Sequence, residues 1–236
     1  MYKTSERIGA SKTGIDGKMK FISAIDMLQD CSQLWMESEP AFDSYLKNNN
    51  IGQFLIFRQV DILERPVYGD QVSVCTSIFE CKNFFGYRNT AMYNSKGEPC
   101  VLSWSVGAFV NLETNRPQRL PPEVLESIIF DDKIEMQYLH KKISLPDLEH
   151  EVLPQIPIWR SDIDMYRHVN NARYIDAALE LLPHDFEPQR MRVEYKKPAR
   201  AENSFHPKRI KASGDLYYIL LADNENQPYI VAEFAK

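Results

Sequence analysis

Asp162-Ile163-Asp164-Met165-Tyr166-Arg167-His168-Val169-Asn170-Asn171-Ala172-Arg173-Tyr174-Ile175 sets two acids, a histidine and two asparagines directly before a helical pattern. Ala172, Ile175, Ala178, Leu179 and Leu182 recur at helical spacing and Pro183 stops the run, so a helix is predicted from about Asn171 to Leu182. Asn170 or Asn171 suits its N-cap. A helix N-terminus presents unpaired N–H groups and a partial positive charge. An acid and a histidine at that point can hold and polarise a carbonyl.

Working outward, a second helical pattern lies from about Lys20 to Glu39, with Phe21, Ile22, Ile25, Leu28, Ser32 and Trp35 on one stripe and Pro40 at its end. Strand patterns follow each helix. Val72 to Ile78 alternates, Phe84 to Tyr93 is aromatic-rich, and Cys100 to Val110 alternates over a long run. In the second half Arg192 to Lys196, Ile210 to Ala212, Tyr217 to Leu221 and Tyr229 to Phe234 read as strands. The order repeats. Ile25-Asp26 matches Ile175-Asp176 at an offset of 150, Arg65-Pro66 through Asp70 matches Lys197-Pro198 through Glu202 at 132, and Asn94-Ser95-Lys96-Gly97-Glu98-Pro99 matches Asp223 to Pro228 at 129. A helix followed by an antiparallel meander, twice, predicts an α+β fold in which each sheet curls around its helix and the two sheets join edge to edge. A gap between helix and sheet would suit a straight aliphatic chain.

The expected organisation is a first module over 1–112, a proline-bearing linker over 113–157 and a second module over 158–236. No apolar run approaches the roughly 18 residues of a membrane span, and the N-terminal residues lack the apolar stretch of a secretory signal, so a cytoplasmic protein is expected. Cys31, Cys75, Cys81 and Cys100 show no C-x-x-C spacing and are expected to be reduced thiols, with no metal site. A net charge of −5 argues against nucleic acid as a general partner. Between Arg190 and Lys211, however, eight basic residues face only Glu194 and Glu202. This run is either an anion-docking surface or a guarded strand edge. Gly9 to Gly14 has a phosphate-loop rhythm, but Ile15 stands where its lysine would be. No G-x-S-x-G or H-E-x-x-H occurs.

The chain resembles the acyl-acyl carrier protein thioesterases of plants and bacteria over nearly its whole length. The resemblance is carried by Met27-Leu28-Gln29-Asp30, Phe54 to Ile62, Arg65-Pro66 with Gly69-Asp70, Gly97-Glu98-Pro99 with Ser103-Trp104, and Asp164 with His168-Val169-Asn170-Asn171 and Tyr174. It implies a double hotdog fold, hydrolysis of a fatty acyl thioester to free fatty acid and carrier protein, and neither metal nor cofactor. It also implies a catalytic loop in the second half, with Asp164 and His168 as catalytic residues, and an acyl pocket drawn mainly from the first half, for which Phe21, Ile25, Leu28, Phe54 and Phe57 are the candidates. The family's Asp-x-Asn-x-His has Tyr166 in the middle position here, and its downstream Glu and Cys fall on Pro198 and Ala199. Tyr166, Asn170, Asn171 and Glu202 are therefore candidates for auxiliary roles.

Hydrolysis needs an activated water or a carboxylate nucleophile and a stabilised oxyanion. His168 can take the proton from water, Asp164 can orient it or attack directly, and amides near Val169 to Asn171 can polarise the carbonyl. Each residue also has a structural reading. His168 could bond its own turn, Asp164 could form the turn, and the asparagines could cap. Acyl carrier proteins are acidic, so Arg190, Arg192, Lys196, Lys197, Arg200, Lys208 and Arg209 are expected to dock the carrier. Two alternatives stay open: an acyl-coenzyme A thioesterase, and an acyl-binding protein without turnover. Two fused modules allow either a monomer or a homodimer.

Overall fold

The computed structural model describes residues 1–236. The chain divides into two compact units, Met1–Ile56 with Val60–Tyr138, and Phe57–Gln59 with Leu139–Lys236. The expected linker is thus shared out. Its first part, through Tyr138, packs with the first unit because Tyr138 donates to Asn89 Oδ1 (2.8 Å) and meets Phe79 edge-on and Trp104 at a tilt. The rest belongs to the second unit, where Ile143 is buried with Ile210, Tyr218 and Val231.

The first unit comprises β1 (Tyr2–Arg7), α1 (Phe21–Ser38), α2 (Pro40–Asn48), β2 (Ile51–Ile62), β3 (Gln71–Lys82), β4 (Phe85–Tyr93), β5 (Pro99–Asn111), β6 (Arg116–Pro117) and α3 (Pro122–Leu125). Its strand order is β1-β3-β4-β5-β2, and β1, β3, β4 and β5 pair antiparallel with their neighbours. The apolar stripe of α1 packs on β1, β3 and β4 and buries Ala24, Ile25, Leu28, Cys31 and Trp35. Pro40 ends α1 as expected. It also opens α2, since proline at the first helical position forfeits only an N–H that has no partner there.

The second unit holds β7 (Glu151–Val152), β8 (Ile156–Pro157), α4 (Asn171–Leu179), β9 (Arg190–Tyr195), β10 (Ser204–Ser213), β11 (Leu216–Ala222) and β12 (Pro228–Ala235). The order β9-β12-β11-β10 is antiparallel throughout, with β7 and β8 on the far side of β10. α4 lies on β11 and β12 and buries Ala172, Tyr174, Ile175 and Ala178. Helix plus antiparallel meander in both units is the predicted α+β arrangement.

The duplication reaches individual hydrogen bonds. In the β4–β5 turn, Asn94 N donates to Glu98 O, Gly97 N to Asn94 O, and Asn94 Oδ1 accepts from Lys96 and Glu98. In the β11–β12 turn, Asp223 takes the same four bonds with Gln227, Asn226 and Glu225, displaced by 129. The turns before β3 and β10 correspond at 133 rather than the expected 132. Val67 and Asp70 exchange the bonds that Arg200 and Asn203 exchange. The prolines that suggested 132 are not the residues that close the turn.

Candidate active site

The loop into α4 is closed by its own backbone. A 3-10 turn at Arg160–Asp162 is held by Trp159 N to Asp162 Oδ2 (2.7 Å) and Asp162 N to Trp159 O (3.0 Å). Ile163 bridges Val169, Asp164 N donates to His168 O (2.8 Å), and Arg167 N donates to Asp164 O (3.0 Å). This tight loop sets Arg167 at φ +61°. Asp164 Oδ1 accepts from the N–H of Tyr166 (2.9 Å) and of His168 (3.3 Å). Asp164 and His168 are half-buried, and the His168 imidazole makes no hydrogen bond. Asn170 is the N-cap, its side chain accepting from Ala172 N at 2.9 Å.

Three amides were candidates for polarising a carbonyl. Val169 N is spent on Ala199 O (2.9 Å) and Asn170 N on Asp162 O (2.7 Å). Asn171 N, at the first position of α4, has no such partner. It is the amide the loop leaves open, at the positive end of the helix.

The loop rests on an aromatic floor. Ala199 N donates to the Tyr174 hydroxyl oxygen (2.7 Å), and the Tyr195 hydroxyl donates to Asn171 O (3.1 Å). The Tyr174 ring meets Tyr195, Phe205 and Tyr229. Burial, opposed by the Ala199 N–H and reinforced by Tyr229 and Asp164, pushes the Tyr174 hydroxyl up to about 12. Burial likewise raises Tyr195 and lowers the Arg58 guanidinium near it. Tyr174, Tyr195 and Ala199 were not singled out as floor residues, because their roles depend on contacts remote in sequence. The position of the family's acid does lie beside the loop, since Ala199 braces Val169. Pro198 there is exposed and offers no carboxylate.

The first unit contains the same turn without the chemistry. Lys12 N to Gly9 O, Thr13 N to Ala10 O, Gly14 N to Lys18 O, Gly17 N to Gly14 O and Lys20 N to Lys12 O each have a counterpart 150 residues on. Both turns carry the same bridge, Thr13 to Met19 and Ile163 to Val169. Gly14 stands where the second turn has Asp164, and Lys18 where it has His168. The turn therefore forms without either residue. Asp16 Oδ1 accepts from Lys18 N (3.0 Å) as Asp164 Oδ1 accepts from His168 N, so turn formation accounts for an acid in the loop but not for the imidazole.

The remaining expected site residues are dispersed. Ile25, Leu28 and Phe57 are fully buried, Phe21 is half-buried, and Phe54 is 36 % exposed on β2. Glu202 is exposed and lines an open polar cavity of about 340 Å³ with Gln155, Ser204, His206 and Asp223. In the basic run, Arg192 is bidentate to Glu233, Lys196 pairs with Glu194, Lys197 with Asp223, and Arg209 with Glu151 (2.8 Å). Much of its charge is met within the chain, while Arg200 stays exposed. All four cysteines are free, and burial pushes the Cys81 and Cys100 thiols up to about 11, which removes them as nucleophiles at neutral pH.

Comparison with known proteins assigns the family. Residues 1–128 match the acyl-ACP thioesterase N-terminal domain, and residues 146–227 match the acyl-ACP thioesterase C-terminal domain. The chain belongs to the acyl-ACP thioesterase family. Among curated relatives of these thioesterases, it is 29 % identical over 157 residues to the chloroplastic acyl-[acyl-carrier-protein] hydrolase FATB3 of Cuphea viscosissima, covering 61 % of this chain and 37 % of that protein. It is 32 % identical over 132 residues to the chloroplastic palmitoyl-acyl carrier protein thioesterase of Gossypium hirsutum, covering 53 % and 32 %. The matches thus span about a third of those relatives' length. Two solved structures share the fold over 99 % of this chain and 96 % of theirs. They are an acyl-ACP thioesterase from Bacteroides thetaiotaomicron (TM-score 0.89, 18 % identity) and the 12:0-ACP thioesterase from Umbellularia californica (TM-score 0.88, 17 % identity). The likeness establishes the acyl-ACP thioesterase hotdog fold.

Proposed function

We propose that this chain hydrolyses fatty acyl thioesters of acyl carrier protein, releasing the free fatty acid. One observation carries the reading. The loop holds Asp164 and His168 together before α4, with the imidazole unengaged and an open amide three residues on at Asn171. His168 takes a proton from water, whose oxygen attacks the thioester carbon. The oxyanion forms at Asn171 N–H, a kind of donor typically worth about 10²–10³ in rate. Collapse expels the carrier's thiolate, which takes up the proton. Two backbone bonds to Oδ1 fix the Asp164 carboxylate, which favours a role in orienting the imidazole once substrate is bound over direct attack. The α1 face that buries Ile25 and Leu28 is the candidate wall of the acyl pocket, and four free thiols fit a reducing, cytoplasmic setting.

The test is fatty acid release from acyl carrier protein by the purified chain. His168→Ala and Asp164→Asn are each expected to lower kcat by about a hundredfold or more. Unchanged rates in both would remove this site. The same acyl chain on coenzyme A separates the two carriers. Pro198, exposed where the family has an acid, favours a second reading in which the protein binds acyl groups without turnover. Tight binding of an acyl-carrier series with no released acid would decide for it.

A further inference from the structure

The two copies of the turn keep one backbone and differ in what they show to solvent. Displaced by 150, Gly9 becomes Trp159, Ala10 becomes Arg160, Asp16 becomes Tyr166 and Gly17 becomes Arg167. The fold does not require these changes, since the first turn makes the same backbone hydrogen bonds with Gly9, Ala10, Asp16 and Gly17, and it exposes Ile15 where the second turn exposes Met165. In the second turn Trp159 is 64 % exposed, Met165 76 % and Tyr166 61 %, and Arg160 and Arg167 are exposed without an ion pair. The backbone beneath them is tied down by Asp162 and Asp164, so little order remains to be lost on binding. Arg167 holds φ +61° where the first turn uses glycine at +73°, so a side chain is kept at a position that disfavours one. Trp, Tyr and Arg are the residue types that concentrate binding energy at protein interfaces.

We propose that Trp159, Arg160, Met165, Tyr166 and Arg167 form the surface on which an acidic acyl carrier protein docks, rather than the Arg190–Lys211 run, in which Arg192, Lys196, Lys197 and Arg209 already have acidic partners within the chain. This rests on the hydrolase reading above. Charge complementarity selects the occupant: the loop carries two exposed guanidinium groups without an ion pair and three exposed apolar or aromatic side chains, on a chain whose net charge of −5 otherwise repels an acidic partner.

The experiment uses Arg160→Ala with Arg167→Gly, the residues that the first turn itself carries, so the backbone is preserved. Turnover is measured on an acyl carrier protein and on the same acyl chain as a pantetheine thioester. We expect KM for the carrier to rise at least about tenfold with kcat nearly unchanged, and the pantetheine thioester to be unaffected. An unchanged carrier KM, or an equal loss on both substrates, would overturn the proposal. If the unaltered protein hydrolyses neither thioester, the hydrolase reading fails by itself. Fluorescence anisotropy with labelled carrier then tests the surface directly, with weaker binding by the variant supporting it and equal binding overturning it. Sedimentation adds one more outcome: a dimer that the two substitutions dissolve would assign the patch to a second copy of the chain and overturn the carrier assignment.

Discussion

Arg167 sits at φ +61° in a turn whose first-unit counterpart uses Gly17 at +73°. A left-handed conformation costs a residue with a Cβ about 1–2 kcal/mol, while glycine gives back part of that through its freer unfolded chain. Arg167→Gly is therefore expected to leave stability unchanged or raise it by up to about 1 kcal/mol in urea denaturation. A loss of more than that would mean the side chain supports the fold. Asn170→Ala should go the other way, costing about 1 kcal/mol, because its carboxamide caps α4 at Ala172 N. At this scale the sequence was most legible where partners are local. Asp164, His168 and the Asn170 cap lie within one short segment. The open amide at Asn171 became visible only when Val169 was found bonded to Ala199, thirty residues away. The Trp159 and Arg167 side chains were in plain view, but their meaning needed the correspondence between the two turns.

Among the elements, α4 couples the loop to the core. Its buried face carries Ala172, Ile175 and Ala178, and Tyr174 ties it to Ala199. Burial raises the Tyr174 hydroxyl from 10 to about 12, so the folded state favours its protonated form. That contribution is present in full below about pH 10 and is lost as pH climbs through about 12. Alkaline unfolding should consequently be shallower between pH 10 and 12 in Tyr174→Phe. The same variant should be less stable at neutral pH by about 1–3 kcal/mol, since Ala199 N–H loses its acceptor. An alkaline profile identical to that of the unaltered protein would contradict this. Helical periodicity placed α1 and α4 to within a few residues, and turn chemistry placed both twin hairpins. β2 escaped periodicity because Arg58, Gln59 and Asp61 are buried among its apolar residues, so no alternation survives. β10 was read only in its last residues because Pro207 and the three basic or histidine positions His206, Lys208 and Arg209 mask its start.

For the whole molecule, two units built on one plan carry one candidate catalytic loop, because only the second turn has an acid together with an imidazole. The charge balance adds a condition. An acidic chain meeting an acidic carrier depends on local positive groups, so kcat/KM for the carrier should fall as salt rises from about 50 to 500 mM, while a pantetheine thioester should respond little. A carrier reaction indifferent to salt would count against electrostatic docking. The repeat was legible because helix, turn and hairpin recur in order. Its atomic closeness was not, because most equivalent residues differ while their backbone bonds agree. The central claim is that the turn is scaffold and that Asp164 and His168 are its chemistry. It is tested most directly by giving the second turn the first turn's residues, Asp164→Gly with Tyr166→Asp and His168→Lys, so that the loop keeps the acceptor Asp16 supplies in the first turn, and measuring thermal unfolding and fatty acid release on one preparation. The account predicts a cooperative transition close to that of the unaltered protein and no measurable release. Retained hydrolysis, or a chain that no longer folds, would contradict it.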